Sequence, residues 1–206
     1  LCLNHIRNLK VYSALQDHSN WKPTPYRRAK EVCVGILGLG TLGQAVATML
    51  TNVGFKVTGW SHSKKEIENI TSYSQNELDA FLSEAEILVC LLPLTEKTQG
   101  ILNTELFSKL PKGAYLINVA RGGHLVENDL TEALKTGQLS GAALDVFNTE
   151  PLPEDHPFWN NKDIIITPHI ASMSNASSVS AQIAKNYKRL QTGEELINTV
   201  SHDRGY

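Results

Sequence analysis

The sequence has little cysteine and no cysteine pattern. Its 206 residues include three cysteines, Cys2, Cys33 and Cys90, an odd number without the spacing of a metal site. Cys33 and Cys90 lie inside apolar runs, so we expect small core residues there and not reactive thiols. This usage predicts no metal centre and a reducing compartment, which we take to be the cytoplasm.

Long hydrophobic runs and an excess of one charge are also absent. The longest strongly apolar stretch, Ile87–Leu94, is too short to span a bilayer. Residues 1–7 do not have the pattern of a signal peptide, because no long apolar core follows a basic start. The formal net charge of −2 gives no reason to expect nucleic acid or an anionic membrane as a partner. Hydrophobic residues make up 41%, which is enough for a sizeable core.

What the sequence does have is a regular alternation of strand and helix patterns. Six apolar runs predict strands, at 32–37, 55–60, 87–92, 114–119, 141–146 and 163–167. Helices are predicted over 1–18, 41–53, 74–82, 127–136 and 175–191, and from Asn103 to before Pro111. In the second of these helices one face is predicted to be apolar, formed by Leu42, Ala45, Val46, Met49 and Leu50. The alternation predicts an α/β fold with a doubly wound parallel sheet.

A glycine-rich turn follows the first predicted strand directly and leads into a helix. It has the spacing G-x-G-x-x-G and reads Gly38-Leu39-Gly40-Thr41-Leu42-Gly43. Glycines at these positions permit a tight turn, close approach of the backbone to a pyrophosphate, and close packing of helix on strand. The helix N-terminus offers unpaired N–H groups to the phosphates. The turn therefore predicts a dinucleotide site, against the alternative of a merely structural strand-turn-helix.

The second predicted strand lacks the acidic residue that usually accepts hydrogen bonds from the adenosine ribose. No Asp or Glu occupies positions 56–65, and the strand is followed by polar and basic residues, Ser61-His62-Ser63-Lys64-Lys65. These groups can donate to a 2′-phosphate, whereas an acid would repel it. The pattern favours NADP over NAD, which remains possible. The alternative is that Lys64 and Lys65 simply begin a solvated loop.

Three further polar residues each follow a different predicted strand. Arg121 is the one arginine between Arg28 and Arg189, and it suits a bidentate grip on a substrate carboxylate, with a structural ion pair as the alternative. His169 can exchange a proton with a carbonyl, and Glu150 can orient such a histidine. Together they predict a catalytic set at the carboxyl edge of the sheet. His124 follows Arg121, and both a substrate contact and a solvent-facing role stay open for it.

Residues 32–192 resemble the NAD(P)-binding domain of the D-2-hydroxyacid dehydrogenase family. The glycine turn is joined in order by four further motifs: Leu91-Leu92-Pro93-Leu94-Thr95 with Thr98, Asn118-Val119-Ala120-Arg121-Gly122, Asp145-Val146-Phe147 with Glu150-Pro151, and Thr167-Pro168-His169-Ile170. The resemblance implies a Rossmann-type domain in which Arg121 binds the substrate carboxylate and carbonyl, His169 is the acid/base and Glu150 is its partner. It also implies cofactor contacts from a further set of residues: Leu92, Pro93, Thr98, Val119, Ala120 and Asp145, the last near the nicotinamide amide.

Within that family, Trp21-Lys22-Pro23, residues 59–63 and residues 203–206 are similar to the glyoxylate/hydroxypyruvate reductase A group. This implies NADPH-dependent reduction of glyoxylate to glycolate and of hydroxypyruvate to D-glycerate, and a homodimer. Two alternatives stay open. One is an NAD-linked D-2-hydroxyacid or phosphoglycerate dehydrogenase. The other is a non-catalytic regulator that senses a nucleotide on the same fold.

Family members also carry a smaller substrate domain before the cofactor domain. We assign residues 1–25 to a linking helix and connector from that domain, 26–192 to the NAD(P)-binding domain and 193–206 to a tail that returns toward it. Most of the smaller domain is therefore expected to be absent from these 206 residues. If these 206 residues are the true chain, we expect cofactor binding with little or no turnover.

Overall fold

A parallel seven-stranded sheet forms the centre of the protein. The structure is a computed structural model that describes residues 1–173 and 175–199. The strand order is β3-β2-β1-β4-β5-β6-β7, and every neighbouring pair is parallel. The strands are β1 Cys33–Leu37, β2 Lys56–Trp60, β3 Thr71–Tyr73, β4 Ile87–Cys90, β5 Ala114–Asn118, β6 Leu139–Leu144 and β7 Ile164–Ile166. The predicted doubly wound fold is confirmed.

The predicted number of six strands is wrong, because β3 was missed. This strand has three residues and lies at the edge of the sheet, where it pairs only with β2. A strand so short has no alternation long enough to recognise, and only its partner makes it a strand.

The helices flank these strands and mostly match the predicted positions. They are α1 Cys2–Ile6, α2 Leu9–Asp17, α3 Thr41–Val53, α4 Leu78–Glu84, α5 Thr104–Lys109, α6 Glu127–Lys135 and α7 Ala176–Thr192. The single helix predicted over 1–18 is interrupted at Asn8, which has a left-handed φ of 55°. The Asn8 side chain donates to the Pro25 carbonyl at 2.7 Å. A contact with a segment distant in sequence therefore competes with helix continuation.

Helix α3 packs against the sheet with part of the predicted face, since Val46 and Leu50 are half-buried against the core. Its buried residues are Gly43 and Ala47, while Leu42 is 60% and Met49 is 67% exposed. Small residues on the inner face allow the helix axis to come close to β1, which leaves Leu42 and Met49 on the outside. Close approach thus takes precedence over burial of the bulkiest residues.

Two hydrophobic clusters cover the two faces of the sheet, as a doubly wound topology requires. One contains Leu88 and Leu116 with the helix residue Phe81, and the other contains Ile36 and Ile117. Alternate residues of each strand supply opposite clusters, so both faces are buried. The edge that remains available to a ligand is the carboxyl end of the strands.

The chain divides into two compact units after Pro168. The first comprises all seven strands, and the second begins at His169 and contains α7, which ends at Gly193 with a left-handed φ of 69°. The boundaries predicted at 25/26 and 192/193 stay predictions, and residues 200–206 of the predicted tail lie outside the described residues. Within the ranges that are described, no helix is long and apolar enough to cross a membrane.

Candidate cofactor and substrate site

The glycine turn closes tightly between β1 and α3. Gly38 has a φ of 116°, and a Cβ there would lie 2.9 Å from the backbone carbon of Leu91. A Cβ on Gly43 would lie 1.8 Å from the Gly38 carbonyl oxygen. A Cβ on Gly40 would meet nothing within 4 Å, and Gly40 is the N-cap of the 13-residue helix α3. Two glycines therefore build the turn, and the third leaves open space before a helix N-terminus that fits a pyrophosphate.

The residues between these glycines divide into one core residue and two exposed ones. Leu39 is 0% exposed, and a Cβ added to Gly59 of β2 would lie 2.5 Å from its side chain. Its predicted cofactor contact is thus limited to the backbone. Thr41 and Leu42 are exposed at the start of α3.

The loop that follows β2, residues 61–65, is open to solvent, and we refer to it as the open loop. Ser61 is half-buried and its hydroxyl donates to the Ser63 carbonyl at 2.8 Å, whereas His62, Ser63, Lys64 and Lys65 are exposed. The hydroxyl, imidazole and ammonium groups predicted to meet a 2′-phosphate therefore lie at the carboxyl end of the strand next to the glycine turn.

The loop that follows β4 is stabilised by Thr98. The Thr98 hydroxyl donates to the Pro93 carbonyl at 2.7 Å and accepts from the Thr95 backbone N–H at 2.8 Å. Leu92 is buried, with 8% exposure. Thr98 thus shapes the segment 91–98, and the cofactor contacts expected from Leu92, Pro93 and Thr98 stay predictions.

The loop that follows β5 presents Arg121 on a buried support. Asn118 is 0% exposed; its Nδ2 donates to the Arg121 carbonyl at 3.1 Å and its Oδ1 accepts from the Ala120 N–H at 3.2 Å. The Arg121 side chain is exposed, and its Nη1 donates to the Ala120 carbonyl at 2.6 Å. Val119 is half-buried and Ala120 is buried. A fixed backbone therefore carries an accessible guanidinium two strands along the sheet from the glycine turn.

His124 is neither solvent-facing nor accessible to a substrate, since its side chain is 0% exposed. Its Nδ1 lies 3.1 Å from the Arg121 carbonyl oxygen, and its Nε2 lies 3.2 Å from the Pro93 carbonyl oxygen. Burial, the largest effect, lowers the pKa of His124; the positive charge of Arg121 acts in the same direction, and the two carbonyls oppose both.

The loop that follows β6 carries the two carboxylates of the predicted site, in different environments. Asp145 is 1% exposed and accepts a hydrogen bond from the Thr167 hydroxyl at 2.5 Å. Glu150 is exposed, and its Oε1 accepts from the Phe147 backbone N–H at 2.9 Å. Because its side chain is buried, Asp145 is suited to a structural role in addition to the predicted contact near the nicotinamide.

A polar cluster that the sequence analysis did not identify lies beside this loop. Glu127, at the start of α6, accepts from Asn148 Nδ2 at 3.1 Å and lies 3.3 Å from His156 Nε2. The cluster joins α6 to both sides of the Glu150 segment. The three residues are 21 and 29 positions apart in sequence, so no local pattern could have indicated the contact.

His169 is the first residue of the second unit and is exposed. Its φ of 53° is left-handed, which is uncommon for a non-glycine residue and occurs often at functional sites. The pairing of Glu150 with His169 stays a prediction, as does the catalytic role of each.

The cysteines agree with the core assignment. Cys90 is 0% exposed, and burial raises the pKa of its thiol to about 12. Burial also raises the pKa of the half-buried Cys33 thiol. Thiols with raised pKa values are poor nucleophiles at neutral pH. Across residues 1–173 and 175–199, no group of three His, Cys, Asp or Glu side chains could hold a metal ion.

This glycine turn, with its parallel sheet and polar loops, defines a dinucleotide-binding domain. The family described as D-isomer specific 2-hydroxyacid dehydrogenase, NAD binding domain, matches residues 1–171. The chain belongs to this family, as the resemblance implied.

The chain is similar to several reductases within that family. It is 45% identical over 205 residues to glyoxylate/hydroxypyruvate reductase A of Serratia proteamaculans, covering 99% of this chain and 66% of the relative. The crystal structure of an NADPH-dependent glyoxylate/hydroxypyruvate reductase from Sinorhizobium meliloti, in complex with NADP and sulfate, matches with a TM-score of 0.97 and 41% identity, over 100% of this chain and 66% of that one. The chain thus spans about two thirds of the length of these relatives.

A D-isomer specific 2-hydroxyacid dehydrogenase from Xanthobacter autotrophicus, solved in complex with NADPH and MES, is similar as well. Its TM-score is 0.95 at 40% identity, and the match covers 100% of this chain and 85% of that chain. The predicted similarity to the glyoxylate/hydroxypyruvate reductase A group is therefore confirmed by relatives that span the whole of this chain.

Proposed function

We propose that this chain is the NADPH-binding part of a reductase that converts small 2-keto acids to 2-hydroxy acids, with glyoxylate and hydroxypyruvate as substrates. The observation that carries the proposal is the exposed Arg121 guanidinium, held by a buried loop two strands from the glycine turn. The names of the similar reductases and the NADP or NADPH in their crystals support it.

The glycine turn and the open loop account for the proposed choice of cofactor. The open surface over Gly40, at the N-terminus of α3, suits the pyrophosphate. The hydroxyls of the open loop and the charges of Lys64 and Lys65 suit a 2′-phosphate, and no acid at 56–65 opposes it. NADPH, when bound, supplies the hydride.

The chain's own residues supply charge and the proton. Arg121 holds the substrate carboxylate and polarises the keto oxygen, where negative charge develops during reduction. His169 gives a proton to that oxygen, and Glu150 is its proposed partner. The roles of His169 and Glu150 rest on the family resemblance and on their positions after β7 and β6.

The cofactor assignment is tested by measuring the dissociation constants of NADPH and NADH with the chain, from the fluorescence of the reduced nicotinamide. We expect NADPH to bind at least about tenfold more tightly, a difference of about 1.4 kcal/mol. Tighter binding of NADH would overturn the assignment and favour an NAD-linked dehydrogenase.

The catalytic assignment is tested with Arg121→Ala, and Arg121→Lys is the matched control that keeps the charge. In the full-length protein we expect Arg121→Ala to lower kcat/KM for glyoxylate by at least about a hundredfold while NADPH still binds, since the lost contact stabilises developing charge. A nucleotide-sensing regulator would bind NADPH and show no turnover in the full-length wild type.

A further inference from the structure

One buried imidazole connects two loops of the candidate site. His124 lies in the turn Gly122–His124, and its ring nitrogens face the carbonyl oxygens of Arg121, at 3.1 Å, and Pro93, at 3.2 Å. The first carbonyl belongs to the loop after β5 and the second to the loop after β4. The ring therefore lies between the segment that presents Arg121 and the segment predicted to contact the cofactor.

We propose that His124 is a positioning residue, which holds the Arg121 loop in register with the Leu92-Pro93 backbone. The inference rests on the proposed function. Buried at 0% exposure, His124 does not touch the substrate; it acts through the two loops.

Both carbonyls that face the ring already have a hydrogen-bond donor from their own loop. The Pro93 carbonyl accepts from the Thr98 hydroxyl at 2.7 Å, and the Arg121 carbonyl accepts from Asn118 Nδ2 at 3.1 Å. Loss of the imidazole therefore leaves neither carbonyl unpaired. What is lost is the connection between the loops. A substitution at His124 should therefore affect ligand binding more than a substitution at a buried polar residue that connects no loops.

Backbone hydrogen bonds hold the same two segments together at another point. The Gly100 N–H donates to the Gly123 carbonyl at 2.9 Å, and the Leu102 N–H donates to the His124 carbonyl at 2.8 Å. These bonds fix the end of the β4 loop that is distant from Pro93. Among the hydrogen bonds that link these two segments in the described part of the chain, the one from the imidazole is the one that reaches Pro93, so it sets the fine spacing and not the gross placement of the loops.

A neutral ring can satisfy only one of these contacts by donation, because carbonyl oxygens are acceptors. The neutral imidazole has one N–H, while the imidazolium has two. Glutamine also donates N–H at one end, and its length is comparable, whereas leucine fills the space without a donor. These two replacements separate the hydrogen bond from the volume.

The test measures two affinities in the full-length protein: that of NADPH, and that of oxalate for the NADPH complex. Oxalate is a probe with a carboxylate for Arg121 and no reducible carbonyl. We expect His124→Leu to weaken oxalate binding about tenfold and NADPH binding by a smaller factor, on the scale found for residues that orient a binding group indirectly. His124→Gln should recover part of both losses.

Thr58→Val is the matched control, because Thr58 is a buried polar residue, 5% exposed, in β2 and away from both loops. Both affinities should stay within about twofold of wild type, which is ordinary for a change remote from the site. The inference is overturned if His124→Leu behaves in this way.

Two further outcomes have a clear meaning. If His124→Leu does not fold, His124→Asn decides, because the shorter amide has no atom at the position of Nε2, which faces the Pro93 carbonyl oxygen; unchanged affinities in that variant overturn the inference. If the wild type binds NADPH but not oxalate, or binds no NADPH at all, the proposed function fails first and this inference fails with it.

Discussion

The open loop after β2 and the loops after β4 and β5 are built in opposite ways. The open loop has four exposed residues out of five; the Ser61 hydroxyl donates to the Ser63 carbonyl, and the Lys65 N–H donates to the Ser72 hydroxyl. The other two loops, residues 91–98 and 119–124, are joined through buried His124, and buried Asn118 supports the second of them. We call them the joined loops.

This difference suggests that the choice of cofactor and the placement of Arg121 are determined by different loops. Residues of the open loop can change with little effect on the fold, so the choice between two cofactors can reside there. The joined loops hold Arg121, which must be placed precisely. Because their residues contact one another, we expect substitutions in these loops to be poorly tolerated. The predictions below test this contrast, in order of expected effect on the free energy of unfolding.

The largest effect is expected from Gly122→Ala in the joined loops. A Cβ at Gly122 would lie 2.0 Å from the backbone carbon of Phe147 and 2.1 Å from its oxygen, so backbone must move. We expect a loss of about 3 kcal/mol or more in the free energy of unfolding, measured by urea denaturation. At the adjacent Gly123 the nearest atom is 3.0 Å away on the flexible side chain of Leu94, and Gly123→Ala should cost less than about 1 kcal/mol. Equal losses of stability in the two variants would contradict the expectation that the backbone around Gly122 has no room for a side chain.

The next effect is expected from Asn118→Leu. The substitution leaves the Ala120 N–H without the Asn118 Oδ1 acceptor and removes the donor to the Arg121 carbonyl. We expect a loss of about 2 kcal/mol, since an unpaired buried polar group keeps its desolvation cost. Asn148→Ala, at an exposed asparagine that donates to Glu127, should change the stability by less than about 0.5 kcal/mol. A loss for Asn118→Leu as small as that of this control would refute the contrast.

A smaller effect is expected from the pH dependence of His124. Burial holds the pKa of its ring below the usual 6.5, so the unfolded chain takes up a proton more readily than the folded protein. The free energy of unfolding should therefore decrease as the pH falls below about 6.5, the unfolded-state value. His124→Gln removes this contribution, and the stability advantage of wild type over the variant should shrink from pH 7 to pH 5. Burial also lowers the pKa of His5, which is present in both proteins and cancels. Parallel stability curves would show that His124 titrates equally in both states.

The smallest effect on stability, but a clear one on binding, is expected from His62→Asp in the open loop. An exposed residue at this position should change the free energy of unfolding by less than about 0.5 kcal/mol. The new carboxylate should repel a 2′-phosphate and weaken NADPH binding at least about tenfold, with little effect on NADH. His62→Asn is the isosteric control without charge. If both variants bind NADPH equally, the 2′-phosphate does not lie near the open loop.

The sequence by itself determined the parallel sheet, the order of its motifs and the glycine turn. Apolar runs such as 87–90 can be recognised as strands because a strand buried on both faces needs apolar residues throughout. Gly38 and Gly43 can be recognised from sequence because neither position accepts a side chain. Gly38 has a left-handed φ, and a Cβ on Gly43 would lie 1.8 Å from a carbonyl oxygen. The absence of an acid after β2 can also be read from the sequence, because each of these features depends on one residue or one short segment.

Only the tertiary structure decided which residues meet. The break at Asn8 depends on a carbonyl 17 positions away, and the exposure of Leu42 and Met49 depends on how closely helix α3 approaches β1. His124 could be assigned neither to solvent nor to substrate from its neighbours in sequence. Its buried role depends on Pro93, 31 residues earlier, which the sheet brings beside it because β4 and β5 pair. Pairing between distant segments follows from the summed packing of the whole core, so no local pattern could have shown it.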